Sequence, residues 1–127
     1  MDVYEAAKKF VDETVGVRSM DRILVLADYK TRDIAGAIAQ RSKLVANTDL
    51  SGVTSTPHVD VARLDMGGAS YIPTKKDLSD ATIIIYTFEP SLYLLGMLYY
   101  VLENSRTRFF DASSLVTMLQ TIDEKLQ

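Results

Sequence analysis

The stretch Ala81-Thr-Ile-Ile-Ile-Tyr-Thr87, followed by Phe88-Glu89-Pro90, decides the fold. Residues 83–86 are β-branched or aromatic and show no polar alternation, which is typical of a strand covered on both faces in a parallel sheet. Pro90 suits the first turn of a helix, where its missing N–H is not needed. Because an apolar segment, 91–102, comes next, this region predicts a buried strand, a tight turn and a buried helix.

A second apolar run, Arg22-Ile-Leu-Val-Leu-Ala27, predicts another buried strand. It leads into the polar turn 28–31, where Thr31 is a suitable N-cap for the helix that follows. Strand, polar turn and helix together form the first half of a βαβ unit. The residues expected on the buried face of this helix are Ile34, Ala35, Ile38, Ala39 and Leu44.

The first residues of the chain predict an amphipathic helix that ends at Gly16. Its apolar face is expected to carry Val3, Ala6, Ala7, Phe10, Val11, Thr14 and Val15. Further along, 45–58 lacks periodicity and is rich in turn-forming residues, so we predict a long loop there.

The remaining elements are shorter. Residues 59–64 alternate between apolar and polar, which favours a strand at or near a sheet edge. Residues 75–80 predict a short helical turn and 106–110 a fourth strand. Either Asp111 or Ser113 would cap a last helix.

Strands that alternate with helices predict a three-layer, Rossmann-like α/β sandwich, with a four-stranded, mostly parallel sheet and helices on both faces. The Ile23 and Ile83 strands should be central, with the Val59 strand outside the first and the Phe109 strand outside the second. A chain of 127 residues corresponds to a single domain, 1–127.

Composition excludes several kinds of site. A net charge of −3 lacks the basic footprint of a nucleic-acid-binding protein. The absence of cysteine removes disulfides and thiolate ligands, and favours a cytoplasmic location. His58 is the single histidine, so no multi-histidine metal site is expected. The longest apolar run, 92–102, is too short to cross a bilayer, so no membrane association is expected.

Polar residues that follow the strands are the candidates for a ligand site, because ligands of open α/β sheets bind outside the carboxyl ends of the strands. Paired carboxylates there suit a cation or acid–base chemistry, and a small anion can sit at the helix that begins near Thr31, beside Lys30. The alternative is that the acids only cap helices. No glycine-rich phosphate loop follows the first strand, and no cofactor is predicted. The candidates are Asp28, Lys30, Thr31, Glu89, Ser91, Asp111 and Ser113.

The helix 92–102 is apolar around nearly its whole circumference, whereas a helix that only covers a sheet has a polar back. An exposed apolar strip marks a partner site, and tyrosine and methionine are enriched in interfaces. The alternative is cover by another part of the chain, such as 45–58. The interface candidates are Tyr93, Gly96, Met97 and Tyr100, opposite the inward Leu94, Leu95, Leu98 and Leu102.

The pattern of Asp21-Arg-Ile-Leu-Val-Leu-Ala-Asp28, Thr31 to Gln40 and Asp77 to Thr87 resembles the N-terminal α/β domain of archaeal aminopeptidase T-like metallopeptidases. That family binds its metals in a separate C-terminal domain, which has no counterpart in this sequence, so peptidase activity is not implied. The resemblance implies a Rossmann-like fold, a thermophilic archaeal source and a stand-alone relative kept for assembly.

The leading functional hypothesis is a non-enzymatic or accessory domain that forms a homodimer through the helix 92–102. The alternative is a protein that binds a small molecule, a phosphate or a cation, or a small enzyme, with its site at the carboxyl-end rim of the sheet. The sequence does not decide whether the protein is an enzyme.

Overall fold

The computed structural model describes residues 2–48, 58–63, 75–88, 92–104 and 106–115. The helices are α1 (Val3–Phe10), which continues as a π-helical turn (Val11–Val15), α2 (Arg32–Thr48), α3 (Lys75–Asp80) and α4 (Leu92–Asn104). The strands are β1 (Arg22–Ala27), β2 (His58–Arg63), β3 (Ile83–Tyr86) and β4 (Arg108–Asp111). Residues 113–115 are again helical.

The four strands form one parallel sheet in the order β2-β1-β3-β4. This confirms the predicted α/β class and the predicted strand order. Every residue of β1 after Arg22 is buried, as are Ile83 to Ile85 of β3. The two continuous apolar runs are therefore central because both of their faces need cover.

Helices pack on both faces of the sheet and give the predicted three layers. One face joins alternate residues of β1 and β3, such as Val25 and Ile85, to α1, α2 and Leu115. The other face joins Leu26 and Ile84 to α3 and α4. Because successive strand residues point to opposite faces, each apolar run serves both cores.

The end of the first helical segment depends on Gly16, as predicted. Gly16 has φ +70° and donates from its amide to the carbonyl oxygen of Val11 at 3.2 Å. This wide terminal turn buries Val11 and Val15 but leaves Thr14 exposed. The prediction that Thr14 lies on the apolar face is therefore wrong, because the turn departs from regular α-helical spacing.

α2 is longer than predicted, since it continues to Thr48 into the segment interpreted as loop. The buried positions Ile34, Ile38, Ser42 and Ala46 recur every four residues. Leu44 falls off that series and is 52% exposed, so its predicted place on the buried face is wrong. Residues 49–57 of the predicted loop lie outside the described residues, and His58 belongs to β2.

A two-point ion pair joins the π-helical turn to α2. Arg41 Nε donates to Asp12 Oδ1 at 3.0 Å and Arg41 Nη2 to Oδ2 at 2.7 Å. These hydrogen bonds hold the pKa of Asp12 below its ordinary value and raise the pKa of Arg41. The ion pair therefore favours the charged form of both groups in the folded state.

Gly16→Ala and Gly36→Ala should change stability in opposite directions. A Cβ at either position meets no atom within 4 Å, so only the backbone decides. At Gly16 the left-handed conformation should cost alanine about 1–2 kcal/mol. At Gly36, inside α2, alanine should stabilise the fold by about 0.5–1 kcal/mol. Urea denaturation measures both changes, and an equal effect at the two positions would contradict the assignment of Gly16 as a helix stop.

The Asp12–Arg41 pair predicts a specific acid sensitivity. A lowered folded-state pKa means that the stabilisation is complete above the unfolded pKa of about 4 and is lost as pH falls through the folded value. Asp12→Asn should therefore flatten part of the decline in unfolding free energy between about pH 5 and about pH 2. Glu13→Gln, at an exposed neighbouring carboxylate, is the control and should leave the decline unchanged.

Candidate functional site

The strand order reverses between β1 and β3, so this is where an α/β sheet would open a ligand crevice. The base of the crevice is filled by protein atoms. The Thr87 hydroxyl oxygen lies 3.0 Å from the Leu26 carbonyl oxygen and 2.7 Å from the hydroxyl oxygen of Thr31. Thr87 is 1% and Thr31 5% exposed, so these hydroxyls bind each other rather than present themselves to solvent.

Asp28 and Thr31 close the turn between β1 and α2 with a reciprocal pair of hydrogen bonds. The Thr31 amide donates to Asp28 Oδ1 at 2.8 Å, and the Asp28 amide donates to the Thr31 hydroxyl at 3.0 Å. This is the geometry of a capping box, here made by aspartate and threonine. The Thr31 amide also lies 3.3 Å from the Asp28 carbonyl oxygen, so these contacts together fix the tight turn that precedes α2.

Asp111, another rim candidate, also accepts a hydrogen bond from a backbone amide. The Ser113 amide donates to Asp111 Oδ1 at 2.8 Å, so Asp111 caps the last helix. Lys30 is exposed. Glu89 and Ser91 lie outside the described residues, so the predicted approach of Asp28 and Glu89 stays a prediction.

Arg32, the first residue of α2, is turned back on the preceding loop. Its guanidinium lies 4.0 Å from the centre of the Tyr29 ring, and Nη1 donates to the Tyr29 carbonyl oxygen at 2.6 Å. The capping alternative therefore accounts for Asp28 and Asp111, whose carboxylates accept hydrogen bonds from backbone amides.

The opposite, amino-terminal edge of the sheet holds a second polar cluster, which the sequence analysis missed. Asp21 accepts hydrogen bonds from the Arg18 amide and the Thr82 hydroxyl, each at 2.8 Å. The Thr82 hydroxyl also accepts from the Arg22 amide at 2.9 Å, and Arg108 lies 3.9 Å from Asp21. These contacts join β1, β3 and β4, which gives the cluster a structural role.

An open groove of about 600 Å³ lies between α4 and the edge strand β4, and is here called the β4 groove. Its volume is within the range of ligand and partner sites. The principal lining residues are Tyr86, Leu95, Tyr99, Phe109 and Phe110, with Arg108 at the amino end of β4. The sequence signal for it was the Phe109-Phe110 pair in a short edge strand.

One wall of the β4 groove carries a perturbed phenol. Burial and, second, the nearby negative charge of Asp111 raise the pKa of Tyr86. Both causes disfavour the phenolate, so Tyr86 stays neutral over an even wider pH range than an ordinary tyrosine. It therefore contributes an apolar ring and a neutral hydroxyl to the groove.

The exposure of α4 residues follows part of the predicted division between outward and inward positions. Gly96 and Tyr100 are exposed and Leu98 is buried, as expected. Leu95 is only partly buried, contrary to its placement among the inward residues, because it borders the β4 groove. Tyr99, which was missed, is 64% exposed and also lines the groove. The side chains of Tyr93, Leu94, Met97 and Leu102 lie outside the described residues.

Other classes of site have no support in the described part of the chain. No three His, Asp or Glu side chains there are grouped to hold a metal ion. None of the described helices has the length and apolar character needed to span a bilayer. No known protein family, curated protein or solved structure matches the chain.

Thr87→Val should test whether the crevice is a structural element. Valine keeps the shape but removes the hydroxyl and leaves the buried Thr31 hydroxyl without that partner, at a cost of about 1–3 kcal/mol. Thr14→Val, at an exposed threonine, should change stability by no more than about 0.5 kcal/mol. Urea denaturation of both variants measures these changes in unfolding free energy. If Thr87→Val is as stable as the parent, the Thr31–Thr87 contact contributes nothing to folding.

Proposed function

We propose that the protein is a non-enzymatic, self-associating α/β domain that forms a homodimer through the outer face of α4 and the adjacent β4 groove. The observation that carries the proposal is that Tyr99 is 64% exposed on α4, a helix whose sequence lacks a polar face. Tyr100, beside it, is 45% exposed. Glu103 is the exposed charge at its end. Exposed apolar strips of this kind mark sites of protein–protein interaction.

The aromatic character of this surface supports a protein partner. Tyr99 borders a groove that also contains Tyr86, Phe109 and Phe110. Tyrosine and phenylalanine anchor interfaces because they bury a large area with few rotatable bonds, and tyrosine also offers a polar end. A second copy would cover the tyrosines and fill the groove together.

The ligand-binding alternative has less support. Its candidates Asp28, Thr31 and Asp111 are engaged in capping, and the Thr31 hydroxyl is buried against Thr87. The kinship with the N-terminal domain of aminopeptidase T-like proteins, with an archaeal, thermophilic source, is kept as part of the proposal. It would describe a relative whose role is assembly.

Tyr99→Glu should convert dimers into monomers, because a carboxylate cannot be buried unpaired in an apolar contact. Tyr4→Glu is the matched control, since Tyr4 is 66% exposed on α1, on the opposite side of the sheet. Sedimentation velocity should show at least a tenfold weaker dimer for Tyr99→Glu and an unchanged one for Tyr4→Glu. Equal effects of the two substitutions would contradict the proposed surface.

A further inference from the structure

β4 is an edge strand, and its backbone amides and carbonyls point alternately towards β3 and away from it. The Arg108 amide donates to the Thr82 carbonyl oxygen at 2.9 Å, and the Ala112 amide to the Tyr86 carbonyl oxygen at 2.8 Å. The even-numbered residues therefore direct their amides and carbonyls towards β3. In a pleated strand the residues between them, Phe109 and Asp111, direct theirs away from the sheet.

These outward groups form an unused pairing edge. In the part of the chain that the structure describes, β3 is the neighbour of β4 and no strand lies on its other side. Such an edge is a template for another strand. The β4 groove borders it, so a strand added there would contact Tyr99 and Phe109 on the α4 face of the sheet and Phe110 on the other face.

We propose that β4 pairs antiparallel with β4 of a second copy across a two-fold axis at Phe110, which joins both sheets into one. This inference rests on the proposed self-association and specifies its geometry. A two-fold axis perpendicular to the sheet leaves corresponding faces of the two copies on the same side of the joined sheet. Residues that lie opposite each other must therefore have side chains on the same face. With Phe110 on the axis, Phe109 lies opposite Asp111 of the second copy, and every outward amide and carbonyl of β4 finds a partner.

The side chains that meet in this register favour a second copy of the chain as the partner of β4. Phe110 meets Phe110 of the other copy in a close, non-hydrogen-bonded pair, and such aromatic pairs are favourable. Arg108 already lies 5.7 Å from the centre of its own Phe110 ring, so an arginine would flank the aromatic pair on each side. Arg108 lies opposite Ala112 of the second copy, so no like charges face each other.

Asp111→Pro tests this arrangement directly. Proline removes the outward amide of residue 111 but leaves the inward bonds of β4 to β3, which is why an edge strand tolerates it. Asp111→Ala is the matched control, because it loses the same carboxylate cap and keeps the amide. Sedimentation should show dimerisation at least tenfold weaker for Asp111→Pro than for Asp111→Ala, with similar melting temperatures.

Hydrogen exchange gives the second measurement. In the parent, the amides of Phe109 and Asp111 should become protected as protein concentration rises, whereas the inward amides of Phe110 and Ala112 should be protected throughout. If Tyr99→Glu dissolves the dimer but Asp111→Pro matches Asp111→Ala and the Phe109 amide never gains protection, edge pairing is wrong and the α4 interface stands. A parent chain that stays monomeric overturns both.

Discussion

The pairing of β1 with β3, two apolar strands buried on both faces, is the constraint on which the rest of the structure depends. Ile23 to Leu26 lie beside Ile83 to Tyr86 in parallel register, and almost every one of these side chains is buried. A strand pair of this kind needs helices above and below it, and it also requires crossover connections. The less apolar strands β2 and β4 then occupy the edges.

The same constraint determines what the polar residues at the strand ends do. Each central strand leads into a turn where backbone amides must find acceptors. Asp28 and Thr31 serve the turn after β1, Thr87 links that turn to the end of β3, and Asp111 serves the turn after β4. These residues occupy the place where an α/β enzyme would bind a substrate. The hydrogen bonds of these described residues are directed towards the fold.

Much of the fold could be predicted because its signals are local. The uninterrupted run at Ile83 and the alternation around Val59 distinguish a central strand from an edge strand, and this was enough to give the strand order. The end of α2 could not be predicted in this way, since no glycine or proline stops the helix before Thr48. Leu44 was misplaced because its hydrophobicity was given more weight than its helical angle.

The candidate site was less predictable for a physical reason. An aspartate after a strand has the same sequence signature whether it caps a helix or binds a ligand, and only the position of Thr31 beside Asp28 and Thr87 favours the cap. The β4 groove depends on how α4 packs against the edge strand β4, and a local sequence pattern does not determine that packing. Tyr100 was identified as exposed, but its neighbour Tyr99 proved to be both more exposed and nearer to the groove.

The most direct test of the central claim is sedimentation equilibrium of the unmodified chain over a wide range of protein concentrations. Self-association through α4 and β4 predicts a reversible equilibrium between monomer and dimer, with the dimer dominant at high concentration and no larger species. A single monomeric mass at every concentration would contradict the account, because the chain would then leave its tyrosine strip and its strand edge without the partner proposed for them.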